Sequence, residues 1–237
     1  MLQEKRTALI VHAVTQGLNP NAPKKDSGIP WLGRIPEHWE LRRNKIFFSE
    51  ADERSESGSE ELLTVSHITG ITPRSAKDVN MFLAESMEGY KICRVGDVVV
   101  NTMWAWMGAL GASQYAGITS PSYNVYRLKQ QFQNRFERQY LDFLYRTPGY
   151  ICEIRRFSKG VWESRLRLYP EAFFELPTVA PPIEEQRDIV EFLENAFQKS
   201  GAFEAKLKRS IDLLNEYRTA LISAAVTGQM DVRQEKL

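Results

Sequence analysis

The sequence predicts an α+β fold, in which a globular mixed α/β domain is followed by one long C-terminal α-helix. The chain has 237 residues, 43% of them apolar, which is enough for one core with an appendage. Short runs rich in β-branched and aromatic residues are spread over residues 40–128 and predict strands. Residues 183–226 contain no proline and carry apolar residues at heptad spacing, which predicts the long helix.

The composition excludes several classes of protein. The 31 basic and 30 acidic side chains nearly cancel, and the apolar content is too high for a disordered chain. No apolar run is long enough for a transmembrane helix, and the N-terminus lacks the cleavage site of a signal peptide. Two isolated cysteines, Cys93 and Cys152, are typical of a reducing compartment and of buried thiols. We therefore expect a cytoplasmic protein.

The first helix is predicted over residues 2–16. Strong helix formers there are followed by Gly17 and by Asn19-Pro20, which end a helix. Residues 19–39 contain four prolines and two glycines, which predicts an irregular connector.

Strands are predicted over residues 62–65, 97–101 and 122–128, where β-branched and aromatic residues dominate. A Gly-rich aromatic loop over residues 102–111 follows the second of them. This loop is the least regular part of the predicted domain.

Two helices are predicted after the strands. Residues 134–147 place their apolar side chains on one helical face. Thr147 and Pro148 then form a cap followed by a proline at the first helical position, which predicts a second helix over 148–157.

The long helix carries an apolar stripe. Along residues 183–226 the stripe positions alternate in steps of four and three, which is typical of a coiled coil. Such a stripe needs a partner helix, and the candidates are the helix at 2–16, a second copy of the chain, or another protein. The predicted partner or dimer positions are Ile189, Leu193, Ala196, Phe203, Leu207, Leu214, Tyr217 and Leu221.

An internal repeat links the two ends of the sequence. Residues 2–15 and 214–227 are identical at ten of fourteen positions without a gap. One unit of a two-unit tandem would have this pattern. The predicted segments are a short N-terminal helix over 1–18, a globular domain over 19–180, the long helix over 181–230 and a tail over 231–237.

The sequence contains no recognisable catalytic set. The histidines His12, His38 and His67 are scattered and lack metal-ligand spacing, so neither a metal nor a cofactor is predicted. Glu184 and Glu185 are interpreted as acids at the N-terminus of the long helix, where the positive end of the helix dipole stabilises negative charge. We therefore predict a binding or scaffolding chain and not an enzyme.

Charge is distributed unevenly. Residues 50–61 hold six acids and one arginine, whereas residues 127–167 hold ten Lys/Arg and four acids. The basic segment fits either an ordinary solvated helix face or a surface that binds nucleic-acid phosphates.

Four motifs in order resemble the DNA-specificity subunits of type I restriction–modification systems. The sequence Ile-Pro-Trp-Leu-Gly-Arg-Ile-Pro-Glu-His-Trp occupies 29–39, and Gly-Asp-Val-Val-Val-Asn occupies 96–101. Pro-Pro-Ile-Glu-Glu-Gln occupies 181–186, and the tail motif Tyr-Arg-Thr-Ala-Leu-Ile-Ser begins at Tyr217. The resemblance covers essentially the whole chain.

The resemblance implies a target-recognition domain that reads one half of a split DNA sequence, and a spacer helix that packs antiparallel in a coiled coil. It implies no catalysis by this chain, which would hold methyltransferase subunits and, for cleavage, restriction subunits. The chain departs from the usual pattern because it has one recognition domain, so it resembles either the second half of a full subunit or a half-sized one. We therefore predict a homodimer through the long helix and a palindromic split target.

The DNA-binding candidates are Arg, Lys, Asn, Thr and Trp side chains of predicted loops and of the basic region. They are Arg74, Lys77, Asn101, Thr102, Trp104, Trp106, Arg155, Arg156, Lys159, Trp162, Arg165 and Arg167. A second hypothesis from the same helix is a coiled-coil adaptor or decoy that occupies methyltransferase subunits without directing them to DNA.

Overall fold

The structure is a computed structural model that describes residues 2–77, 86–162 and 165–229. The helices in these ranges are α1 (Leu2–Gln16), α2 (Asn44–Phe47), α3 (Arg138–Tyr145), α4 (Pro148–Phe157), α5 (Pro170–Glu175) and α6 (Ile183–Val226). The strands are β1 (Lys24–Asp26), β2 (Arg34–Pro36), β3 (Glu40–Arg43), β4 (Phe48–Glu50), β5 (Leu63–Ser66), β6 (Gly70–Pro73), β7 (Lys91–Cys93), β8 (Val98–Asn101), β9 (Leu110–Ala112), β10 (Gly117–Thr119), β11 (Tyr123–Leu128) and β12 (Pro177–Ala180). Contacts divide the chain into a first unit that ends at Glu191 and a second that begins at Phe192.

The α+β fold class predicted from the sequence is confirmed. The predicted helices at 2–16, 148–157 and 183–226 are present, and the predicted strands correspond to β5, β8 and β11. The connector at 19–39 is more regular than expected, because it contains the antiparallel pair β1–β2. The predicted tail at 231–237 lies outside the described residues.

A four-stranded antiparallel sheet in the order β4–β11–β8–β9 forms the centre of the first unit. Every residue of β8 is buried, because its three consecutive valines pack on both faces of the sheet and the amide of Asn101 is hydrogen-bonded. The remaining pairs are β1–β2, β3–β12, β5–β6 and β7–β10. Strand β12 directly precedes α6 in the chain and pairs with β3. The start of the long helix is therefore anchored to the N-terminal part of the domain.

A charged network supports the sheet beside β8. The carboxylate of Asp97, 2% exposed, accepts hydrogen bonds from Arg127 Nε at 2.9 Å and Arg127 Nη2 at 2.8 Å. Arg127 Nη1 also donates to the carboxylate of Glu53, which accepts a second hydrogen bond from Arg94. A buried carboxylate needs such partners, and this pair links β11 to the turn before β8.

A second buried polar cluster centres on Asn44, which is fully buried. Its Oδ1 accepts from the hydroxyls of Tyr145 and Thr178, and its Nδ2 donates to Tyr150 Oη and to the Phe173 carbonyl. Because these partners come from α3, α4, α5 and β12, one asparagine joins four elements.

Helix α1 packs on the globular unit. Ala13 and Val14 are fully buried, and the Tyr140 hydroxyl of α3 donates to the Val14 carbonyl at 3.2 Å. Part of the apolar face of α1 is therefore used inside the first unit. The partner of the long-helix stripe stays a prediction, with α1 as one of its three candidates.

The stripe of α6 differs from the predicted one at its first two positions. Ile189 is 1% exposed and Leu193 is fully buried, so neither is available to a partner helix. Farther along the helix, Phe203, Leu214 and Tyr217 are 57%, 65% and 63% exposed. The predicted partner surface is thus restricted to the later positions.

The two cysteines have different environments. Cys93 is 1% exposed as expected, whereas Cys152 on α4 is exposed, which corrects the prediction that both thiols are buried. Periodicity placed Cys152 in a helix, but the buried face of α4 is defined by Tyr150 and Ile154. No described helix is long and apolar enough to cross a membrane.

Candidate nucleic-acid interface

The loop after β8 is held by Asn101. Its Nδ2 donates to the Val65 carbonyl at 3.3 Å, and its Oδ1 accepts from the backbone N–H of Met103 at 3.3 Å. Asn101 is only 5% exposed. Its amide therefore orders the loop, and in this arrangement it is not free to read a base, contrary to the sequence expectation.

Two tryptophans of this loop form a stacked pair. The ring centroids of Trp104 and Trp106 are 6.3 Å apart, and the ring planes differ by 15°. Trp106 Nε1 donates to the Met103 carbonyl at 3.0 Å, and the guanidinium of Arg155 lies 6.0 Å from the Trp106 ring centroid. Trp104 is 47% exposed, whereas Trp106 is half-buried.

The basic loop after α4 is closed at its base by two hydrogen bonds. Lys159 N–H donates to the Arg167 carbonyl and Arg167 N–H to the Lys159 carbonyl, each at 2.9 Å. A Cβ at Gly160 would lie 2.6 Å from the Arg165 carbonyl oxygen, so only glycine permits this close approach. At the end of the loop, Trp162 is 69% exposed.

Hydrogen bonds and packing join these segments into one surface. Leu168 N–H donates to the Thr102 carbonyl at 3.2 Å, and the Thr102 hydroxyl donates to the Ser122 carbonyl at 3.0 Å. Gly108, with φ +95°, ends the tryptophan loop against Ile151 of α4. We call this surface the basic-aromatic surface. Its residues are Thr102, Trp104, Trp106, Arg155, Arg156, Lys159, Trp162, Arg165 and Arg167.

The charge of Arg156 is partly neutralised. Its guanidinium hydrogen-bonds the Glu153 carboxylate one helical turn earlier, and this bond raises the pKa of Arg156. The same guanidinium lies 4.5 Å from the ring centroid of Phe157. Arg156 therefore already has a carboxylate partner on its own helix.

Arg74 and Lys77 lie at the open end of the β5–β6 hairpin. Arg74 N–H donates to the Leu62 carbonyl at 2.7 Å, and Arg74 Nη1 donates to the Lys77 carbonyl. Burial, with a smaller contribution from the nearby Arg74 charge, lowers the pKa of Lys77. The place of this segment in a DNA interface stays a separate prediction.

Sequence reasoning missed two features of the first unit. Val161 is 89% exposed beside Trp162, an arrangement that only the loop geometry reveals. Glu185 was interpreted through the helix dipole, yet its carboxylate accepts from His38 and from the buried Trp39 indole. Within the described ranges, no group of three or more His, Cys, Asp or Glu side chains is arranged to hold a metal ion.

The chain has the fold of the specificity subunits of type I restriction–modification systems. The crystal structure of the HsdS subunit from Thermoanaerobacter tengcongensis matches 97% of this chain with a TM-score of 0.52 and 16% identity. A second solved chain, from a study of complex assembly and conformational transition of the type I R-M system, matches 94% with a TM-score of 0.55 and 18% identity.

This chain spans about half of each of those two proteins, 51% of the first and 53% of the second. No protein-family model and no curated protein matches it. At these identities the likeness establishes the architecture that the sequence motifs predicted, a β-rich domain followed by a long helix.

Proposed function

We propose that this chain is a DNA-specificity subunit of a type I restriction–modification complex and that it binds one half of a bipartite DNA target. The observation that carries the proposal is the basic-aromatic surface on a domain with the fold of such subunits. The cations there come from α4 and the loop that follows it, and the exposed Trp104 comes from the separate loop after β8, which is bonded to them. A solvated helix face would not place the exposed indole of a separate loop next to its cations.

The chemistry of this surface suits duplex DNA. Lysine neutralises phosphates as a point charge, and the release of counterions makes that binding strongly salt-dependent. Arginine can read guanine through two parallel hydrogen bonds in the major groove. We assign Lys159 to phosphate and Arg165 to base contact, because Lys159 lies at the base of the loop and Arg165 lies nearer its exposed end.

The long helix serves as the spacer in this proposal. Its 44 residues rise about 66 Å at 1.5 Å per residue. Its exposed apolar residues pair with the helix of a second copy in an antiparallel coiled coil, so the two recognition domains are held at a set distance. The target is then a palindromic sequence in two halves.

The chain performs no chemistry in this proposal. Methyltransferase subunits dock on it and modify the DNA that it selects, and restriction subunits join for cleavage. The chain itself requires neither a metal nor a cofactor.

Methylation mapping tests the function directly. The chain is co-expressed with a type I methyltransferase subunit in a host without adenine methylation, and the modified positions are sequenced. We expect methylation at one defined split sequence. A variant with Arg155, Lys159 and Arg165 replaced by alanine should form the same complex and lose that pattern. Assembly without any defined sequence would overturn the proposal in favour of an adaptor or decoy.

A further inference from the structure

Trp104 is unusual because a half-exposed indole is attached to a rigid backbone. Its N–H donates to the Asn101 carbonyl at 3.0 Å, and its carbonyl accepts from Met107 at 3.0 Å and from Ala109 at 3.1 Å. These bonds hold residue 104 at the end of the buried strand β8. Nevertheless, 47% of its surface remains open to solvent.

The Trp104 indole lies beside a second indole. Trp106 stacks on it nearly in parallel, and Trp106 is itself fixed by its indole bond to Met103. The Arg155 guanidinium adds a third planar group next to Trp106. The result is a row of three planar groups in which Trp104 and Arg155 are exposed and Trp106, between them, is half-buried.

We infer that Trp104 is a stacking platform for one DNA base that leaves the base stack of the duplex, an inference that rests on the proposed function. Every base has a π-face, so an indole accepts any of the four by stacking. The Arg155 guanidinium next to Trp106, and the cations of the basic loop whose following residue Leu168 is bonded to Thr102, match the phosphates that flank such a base. A protein partner would not need this density of positive charge.

The rigidity of the platform favours this role over simple surface exposure. Opening a base step costs free energy, and a side chain that is already ordered loses little entropy when it receives the base. Because Trp104 is held by its backbone bonds and by Trp106, most of its ordering occurs on folding. The platform therefore adds sequence preference through the ease with which particular base steps open.

The inference is tested with the full chain in complex with its methyltransferase subunit. Duplexes carrying its methylation sequence are labelled with 2-aminopurine at one position at a time, and fluorescence is measured with and without protein. We expect one position, besides the methylated adenine, to change its fluorescence. Trp104→Ala should abolish that change and weaken DNA binding by about 5- to 150-fold, the range for loss of one stacked base. Trp104→Phe should retain the change.

Tyr169→Ala is the matched control, because Tyr169 is 49% exposed and precedes α5 in the same unit. It should leave the fluorescence change in place, and all three variants should unfold at the wild-type temperature. If the wild type directs methylation to a defined sequence but Trp104→Ala keeps the fluorescence change, the platform is refuted and the proposed function stands. If the wild type directs no sequence-specific methylation, the proposed function fails and the platform with it.

Discussion

Glu185 joins two segments that are 146 or more residues apart in sequence. Its Oε1 lies 2.5 Å from His38 Nε2, and its Oε2 accepts the indole N–H of Trp39 at 2.8 Å. Trp39 is fully buried, so its donor depends on this carboxylate. Two of the four motifs that carry the family resemblance, one at the start of the domain and one at the start of the long helix, therefore meet directly.

Glu185→Ala should lower the free energy of unfolding by about 1–3 kcal/mol, because the buried Trp39 N–H loses its acceptor. Urea unfolding at constant pH measures the change. Glu184→Ala is the matched control, since Glu184 lies in the same first turn but forms only an exposed pair with Arg187. Both variants lose the same helix-dipole interaction, so equal effects would contradict the assigned role of the Trp39 bond.

Acidification should remove part of the stability through Glu53. Hydrogen bonds from Arg127 and then Arg94 hold the pKa of Glu53 below its ordinary value of 4.5. A folded-state pKa that is depressed adds stability above the unfolded value, and this contribution is lost as the pH falls through the folded value. The stability difference between wild type and Glu53→Gln should stay constant from pH 7 to about 5 and shrink below about 4.5. A difference that grows on acidification would rule out this linkage.

The two thiols should differ sharply in reactivity. Burial raises the pKa of Cys93 to about 12, so at pH 8 it remains a protected thiol. Cys152 is exposed on α4. A thiol-specific reagent should modify one cysteine quickly in the folded chain and two after denaturation, and Cys152→Ser should abolish the fast phase. Fast labelling that persists in Cys152→Ser would show that Cys93 is accessible.

Lys159 and Arg165 should affect DNA binding in different ways. Lys159→Ala should weaken binding to target and unrelated DNA alike, and should reduce the slope of log affinity against log salt by about 0.9. Arg165→Ala should reduce discrimination at one base pair by about 1–3 kcal/mol. Titrations at several salt concentrations measure both effects. Lys206→Ala, which removes one exposed charge from α6, is the control and should change neither quantity.

The long helix should form a dimer through its exposed apolar residues. Light scattering at tens of micromolar should give twice the chain mass of 27.3 kDa. Leu207→Glu and Leu214→Glu should each yield monomers, because a charge would enter the coiled-coil core. Lys208→Glu lies off the predicted stripe and should remain dimeric. A wild-type chain that is monomeric at these concentrations would contradict the dimer.

Local signals predicted much of the fold. The heptad spacing predicted α6, the Thr147-Pro148 cap predicted the start of α4, and alternation predicted β11. These signals depend only on neighbours within a few turns or a few strand residues, so they can be recognised in a single sequence. The same reasoning identified the residues of the basic-aromatic surface as chemically suitable for DNA.

Long-range packing assigned the roles of individual side chains. Asn101 can be buried because the carbonyl of Val65, from a distant hairpin, accepts a hydrogen bond from its amide. Ile189 and Leu193 are buried although they fit the coiled-coil period. Trp104 and Trp162 are exposed, although tryptophan side chains are usually largely buried. Periodicity determines which face of an element is apolar, but only the assembled chain determines what covers that face, because burial depends on contacts between residues that are far apart in sequence.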